Sequence, residues 1–152
     1  MGSLLVTSVF QPGGWIPDPY LEKGKNSSPP FLLQGIDSRA KSIALMMERT
    51  GSSFFGGSAY WLIWNIPVLE EIPPGIPAGR CLSSLGGAVQ GVGKALHRYK
   101  GPRSWIGGTY AYRFTVFTVD CLLNLRARAG KKDLLRALRG HILQRGVLTG
   151  IA

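Results

Sequence analysis

With 152 residues, 45% of them apolar and 17% charged, the chain has the length of one domain and too much apolar content for disorder. Its formal net charge of +10 is unevenly set: residues 1–75 hold five basic and six acidic side chains, residues 76–152 thirteen basic and only Asp120 and Asp133. The asymmetry admits two readings, a footprint for nucleic acid or an acidic membrane and a solvated basic face, and the lack of any uncharged apolar run of roughly 18 residues excludes a membrane-spanning helix.

The opening segment MGSLLVTSVF has no basic flank and too short an apolar run for a secretory signal, and Gly2 and Thr7 do not have the myristoylation spacing. The expectation is a soluble, cytoplasmic protein. Residues 4–10 read as a first strand, followed by Pro- and Gly-rich loop at 11–19 and a second rigid loop, NSSPP, at 26–30. The run SIALMME at 42–48 suits a central strand. Aromatic and β-branched residues predict another over 59–66, ended by Pro67, with a short strand after the turn. Residues 72–79 carry too many prolines and glycines for regular structure, and 86–108, with seven glycines, reads mostly as loop.

The clearest strand is YAYRFTVFTV at 110–119, which places Tyr110, Tyr112, Phe114 and Val116 on one face. A helix is predicted near 131–145, where Leu134, Leu135, Leu138, Ile142 and Leu143 share one side, Asp133 suits the helix dipole and Gly146 suits the stop. Strands separated by long loops, with one late helix, predict a mainly β domain spanning 1–152.

Few residues offer catalytic or metal chemistry. Cys81 and Cys121 lack metal-ligand spacing and are expected to be small buried apolar side chains, with a disulfide between them as the open alternative. Only His97 and His141 supply imidazoles, so a zinc site of the usual kind is not expected, and no Ser–His–Asp or Cys–His set can be assembled. Gly91-Val92-Gly93-Lys94 lacks the spacing and following hydroxyl of a phosphate-binding loop. His97, among Lys94, Arg98 and Lys100, reads as solvated. No cofactor and no enzymatic activity are expected.

The order of short motifs carries more information. Asn26-Ser27-Ser28-Pro29-Pro30, Lys41-Ser42, Trp61 with Asn65-Ile66-Pro67, Gln90-Gly91, Tyr99-x-Gly101-Pro102, Tyr112-x-Phe114, Asp120, and Gly140-His141-Ile142-Leu143 with Leu148-x-Gly150 follow one another from about residue 10 to 150. In that order they resemble the phosphatidylethanolamine-binding, or Raf kinase inhibitor-like, family. The resemblance implies an antiparallel β-sandwich of two sheets with a C-terminal helix, and a small anion pocket at one end. It further implies a non-enzymatic binding or inhibitory role towards a small anionic ligand, a kinase or a serine protease. Weak, unspecific nucleic-acid binding through the basic second half is the alternative.

The departures from the family fall in that pocket. Its Asp-Pro-Asp-x-Pro loop is replaced by Glu48-Arg49-Thr50-Gly51-Ser52-Ser53, its two histidines by Tyr60 and Tyr110, and the Pro-Pro after Gly101 by Ser104-Trp105. The resemblance places Tyr60, Trp61, Tyr110, Tyr112, Glu48, Arg49 and Arg103 at or around the ligand. Tyr60 and Tyr110 read either as hydrogen-bond donors to it or as aromatics filling its space. Glu48 would orient a pocket tyrosine or end the strand exposed, and His141 would pack or cap in the closing helix. With neutral phenols in place of imidazoles, phosphate and phosphoethanolamine are expected to bind poorly unless Arg49 or Arg103 turns in.

Overall fold

The computed structural model describes residues 3–50, 59–103 and 109–152. Within them the strands are β1 (Leu5–Thr7), β2 (Phe31–Gln34), β3 (Ser42–Arg49), β4 (Ala59–Ile66), β5 (Glu71–Ile72), β6 (Cys81–Leu82), β7 (Ala88–Gln90), β8 (Ala111–Val119) and β9 (Ile142–Ile151), with a helix, α1 (Lys131–Leu138), between the last two. A small sheet is ordered β1-β2-β5 and a large one β6-β7-β4-β3-β8-β9, and every pairing is antiparallel.

The centre of the large sheet is covered on both faces, which explains why β3 reads as one apolar run. Its alternate residues Ile43, Leu45 and Met47 meet Val6, Phe31 and Leu33 of the small sheet. Ala44 and Met46 point the other way, into a second cluster with Leu134 and Leu138 of α1. β8 alternates likewise: Tyr112, Phe114 and Val116 enter the sandwich, Phe117 and Val119 the helix side. Phe114 lies 5.2 Å from Phe31, centroid to centroid, across the two sheets. Burying each such side chain contributes roughly 1.5–3 kcal/mol. The mainly β, antiparallel architecture with one late helix is thus as expected.

Several local expectations are corrected. β1 is shorter than 4–10. β2 follows the double proline unannounced, and β6 and β7 lie inside or beside stretches expected to be loop. Both cysteines are free, and Cys81 is exposed.

The largest correction concerns the helix, which ends at Leu138 instead of running to 145, so that the chain closes on a ten-residue strand. Arg139 is extended, with φ −56° and ψ 126°, and Gly140 turns left-handed at φ 78°. Ile142 and Leu143 therefore belong to β9, and Leu135 is exposed. Gly146 is no helix stop. It faces Val116 on β8, and a Cβ there would lie 2.5 Å from Val6 Cγ2 and 2.8 Å from the Leu4 carbonyl, so β1 can cross β9 only at a glycine.

Candidate functional site

Most of the motif residues prove to be clamps on loops. Asn26, at φ 52°, accepts from the Gly101 amide at 2.6 Å and donates to the Tyr99 carbonyl at 3.3 Å. Ser28 accepts from the Ile76 amide through Oγ and from the Gly75 amide through its carbonyl, both at 2.9 Å, which ties down the 72–79 loop. Asn65, at φ 57°, exchanges two bonds with the Leu123 backbone. Gln90 is fully buried: Oε1 accepts from Trp61 Nε1 at 2.7 Å, and Nε2 faces the carbonyls of Pro77, Gly79 and His97 at 3.0 Å each. Each side-chain amide satisfies loop backbone that burial would otherwise leave unpaired.

The candidate site lies at the end of the sandwich where β3 finishes and β4 and β8 begin, and the Asn65–Leu123 clamp sits at the opposite end, where β4 and β8 finish. Arg49 pairs with Tyr112 in the β3–β8 register, and its guanidinium lies 4.4 Å from the centroid of the Tyr110 ring, a diagonal cross-strand neighbour. Tyr60 and Tyr112 meet edge to face at 5.4 Å. Burial first, and then the neighbouring Tyr60, push the Tyr112 hydroxyl up to about 12, against a smaller downward pull from Arg49. Tyr112 therefore stays a neutral donor at physiological pH. Four of the sequence-indicated residues, Arg49, Tyr60, Tyr110 and Tyr112, are brought together.

The other three stand apart. Trp61 is buried behind the site, stacked edge-on against Tyr99 at 5.3 Å, with its N–H occupied by Gln90. Glu48 neither orients a tyrosine nor ends the strand exposed. One residue before Arg49, it points to the opposite face of the sheet. There it is buried and paired with Arg113 at 3.1 Å and with Lys131 in the first turn of α1. Burial raises its carboxyl, but the two cations outweigh that and hold it below the ordinary value. Arg103 reaches Glu22 at 3.0 Å, which Lys100 also engages at 2.6 Å. Gly51, Ser52, Ser53, Ser104 and Trp105 lie outside the described residues.

Sequence reasoning missed Lys94. Its ammonium lies 6.0 Å from the Tyr60 ring centroid, because Lys94 N donates to the Ala59 carbonyl at the start of β4. The only signal was a Gly-x-Gly-Lys string dismissed as a failed phosphate loop. Both histidines also differ from expectation. His97 is half-buried, with Nδ1 2.9 Å from the Gln90 carbonyl. His141 lies in the turn past α1, 2.8 Å from Asp120 Oδ1.

An open groove of about 690 Å³ is lined by Leu33, Gln34, Gly35, Asp37, Val68 and Glu70 among others. Its carboxylates give it the wrong sign for an anion. For metals, the ligand atoms of Asp120, Cys121 and His141 lie within 4.8 Å of one another, but Asp120 and His141 are exposed and hydrogen-bonded to each other.

A model of the phosphatidylethanolamine-binding protein family matches residues 6–152. A UPF0098 protein of Pyrococcus abyssi is 36% identical over 150 residues, covering 96% of this chain and 83% of the relative. Another, from Methanothermobacter thermautotrophicus, is 35% identical over 152 residues, covering 97% and 96%. The crystal structure of a phosphatidylethanolamine-binding protein homologue from Chlamydia trachomatis superposes with a TM-score of 0.83 at 25% identity, over 100% of this chain and 98% of that one. Escherichia coli YbcL, described as a member of the mammalian PEBP family, reaches 0.85 at 20% identity over 99% and 98%, a likeness of fold alone.

Proposed function

Because the chain belongs to the phosphatidylethanolamine-binding protein family, we propose that it is a non-enzymatic protein that binds a small anionic ligand at the Tyr60–Tyr110–Tyr112 end of the sandwich. In this reading Arg49 supplies the charge that imidazoles supply elsewhere in the family.

The observation that carries the reading is the Arg49 guanidinium over Tyr110. Stacking occupies the flat face of the guanidinium and leaves its edge N–H groups directed along the plane. Three neutral phenols alone would give an anion ordinary hydrogen bonds of about 0.5–1.5 kcal/mol net each, whereas a charged donor contributes about 1.5–3. Lys94, 6.0 Å from the Tyr60 ring, adds to the positive field at the same end. A binding role also suits what the cluster lacks. Among the described residues, the carboxylate of Glu48 faces the other side of the sheet, His97 bonds Gln90 and His141 bonds Asp120, so none of these three is aimed at the hydroxyls as a general base.

Amide-resolved NMR with phosphoethanolamine tests the reading. Saturable shifts at residues 48–50, 60 and 110–113, lost in Arg49→Gln, support it. Shifts that leave these positions unmoved overturn it.

A further inference from the structure

On another part of the surface, a cleft of about 300 Å³ is lined by Arg80, His97, Arg126, Ala127 and Arg128. We propose that this cleft is a second anion site, built for a phosphate-bearing small molecule of the size of a phosphate monoester or a diphosphate, and independent of the tyrosine cluster.

The first argument is charge. Three arginines line one small concavity with no acidic residue among its lining. The ion pairs of the described residues engage Glu22, Asp37, Glu48, Asp120 and Asp133, and none reaches Arg80, Arg126 or Arg128. The chain's other acidic residues are Asp18, Glu70 and Glu71, and they are bonded to none of the three either. Like charges held together without an internal counterion repel, and an anion from solution relieves that repulsion. Arginine is the side chain whose planar fork matches phosphate oxygens.

The second argument is pre-organisation. His97 sits at φ 54°, a left-handed conformation that costs a non-glycine residue energy, and four hydrogen bonds hold it there. Its amide donates to the Gly91 carbonyl at 3.2 Å, and its carbonyl accepts from the Gly79 amide at 2.9 Å and from Gln90 Nε2 at 3.0 Å. Its Nδ1 meets the Gln90 carbonyl at 2.9 Å. A carbonyl only accepts, so Nδ1 carries the proton, and in the neutral ring Nε2 is left as an acceptor for a ligand hydroxyl. Arg80 is tied to the same strand, its carbonyl accepting from the Gln90 amide at 3.0 Å. The loop that carries Arg126 and Arg128 is anchored at both ends: Trp64 Nε1 donates to the Leu125 carbonyl at 3.2 Å, and the Val92 amide to that of Ala129 at 2.9 Å. Both walls therefore stand on β4 and β7, and little order has to be gained on binding.

The size of the cleft selects the ligand. About 300 Å³ is at the small end of ligand pockets. It admits one or two phosphoryl groups, whereas a nucleic-acid duplex needs an extended row of phosphate contacts.

Calorimetry with pyrophosphate tests the proposal in an Arg49→Gln background, which removes the charge of the tyrosine site, by comparing that variant with Arg49→Gln/Arg126→Gln/Arg128→Gln. All three arginines carry exposed or half-buried side chains, and an unchanged thermal midpoint certifies the fold of each variant. The expected result is one site per chain in Arg49→Gln, weakened about tenfold for each of Arg126 and Arg128 then removed. No saturable heat in Arg49→Gln, or equal affinity in the triple variant, overturns the proposal. So does competition by a DNA duplex whose affinity falls with salt on a log–log slope steeper than about −3, since that requires more phosphate contacts than three arginines supply.

Discussion

Arg49 and Glu48 are chain neighbours on β3 that face opposite sides of the large sheet, Arg49 over Tyr110 at the sandwich end and Glu48 in an ion pair with Arg113 and Lys131 beside α1. Strand geometry alone separates them: successive side chains alternate, so two adjacent charged residues have unrelated environments and unrelated tasks. On the proposed reading, the division gives Arg49 to the ligand and Glu48 to the stability of the fold.

Glu48→Gln is expected to destabilise the fold by roughly 1–3 kcal/mol at neutral pH, the scale of charged hydrogen bonds lost at a buried group. The carboxyl is held below its ordinary value of 4.5, so the ionised form favours the fold. Its contribution is present above that value and fades as pH falls through the lowered one. Urea denaturation of both proteins at pH 7 and pH 3 checks this: the difference should be marked at pH 7 and shrink at pH 3.

Tyr112 should ionise late. Its hydroxyl is pushed up to about 12 by burial and by Tyr60, against an ordinary value of 10. A group whose folded value is raised stabilises the fold below the unfolded value, and that stabilisation is lost as pH climbs from about 10 through about 12. Ultraviolet titration of phenolate absorbance, wild type against Tyr112→Phe, should show the missing step at the alkaline end.

Gly146→Ala is expected to cost about 1–3 kcal/mol, because the added methyl meets Val6 and the Leu4 carbonyl where β1 crosses β9. Thermal denaturation measures it. A neutral result would mean that β1 shifts freely on the large sheet.

The Pro- and Gly-rich loop at 72–79 is not free to enter a protease cleft as an extended strand. Ile76 is buried, and Ser28 bonds the amides of both Gly75 and Ile76. Limited proteolysis with chymotrypsin- and elastase-like enzymes should therefore leave the chain uncut at Ile76 in the folded protein.

The strands β3, β4 and β8 were legible because burial on two faces, or clean alternation, leaves an unambiguous apolar pattern. β9 was not. Its inward positions include Gln144, Gly146 and Gly150, which carry no apolar signal, while Ile142 and Leu143 continue the helical spacing of Leu134 and Leu138. At the site, the order of motifs brought Arg49, Tyr60, Tyr110 and Tyr112 to one place, but it said nothing of side-chain direction. Glu48 was therefore grouped with Arg49, although a period of two separates them. The placement of Lys94 beside Tyr60 and the half-burial of His97 were not legible, because bonds to the Ala59 and Gln90 carbonyls fix where these two residues sit. Such bonds leave no mark in composition or periodicity.

The central claim is that Arg49 gives this end of the sandwich its affinity for a small anion. Calorimetric titration of phosphoethanolamine tests it most directly, in a protein that carries Arg126→Gln and Arg128→Gln to silence the second cleft, with Arg49 intact and with Arg49→Gln. The account predicts a single saturable site with Arg49 intact, weakened about tenfold or more by the substitution, the equivalent of one charged hydrogen bond. Equal affinity in the two proteins, or no saturable binding with Arg49 intact, would contradict it.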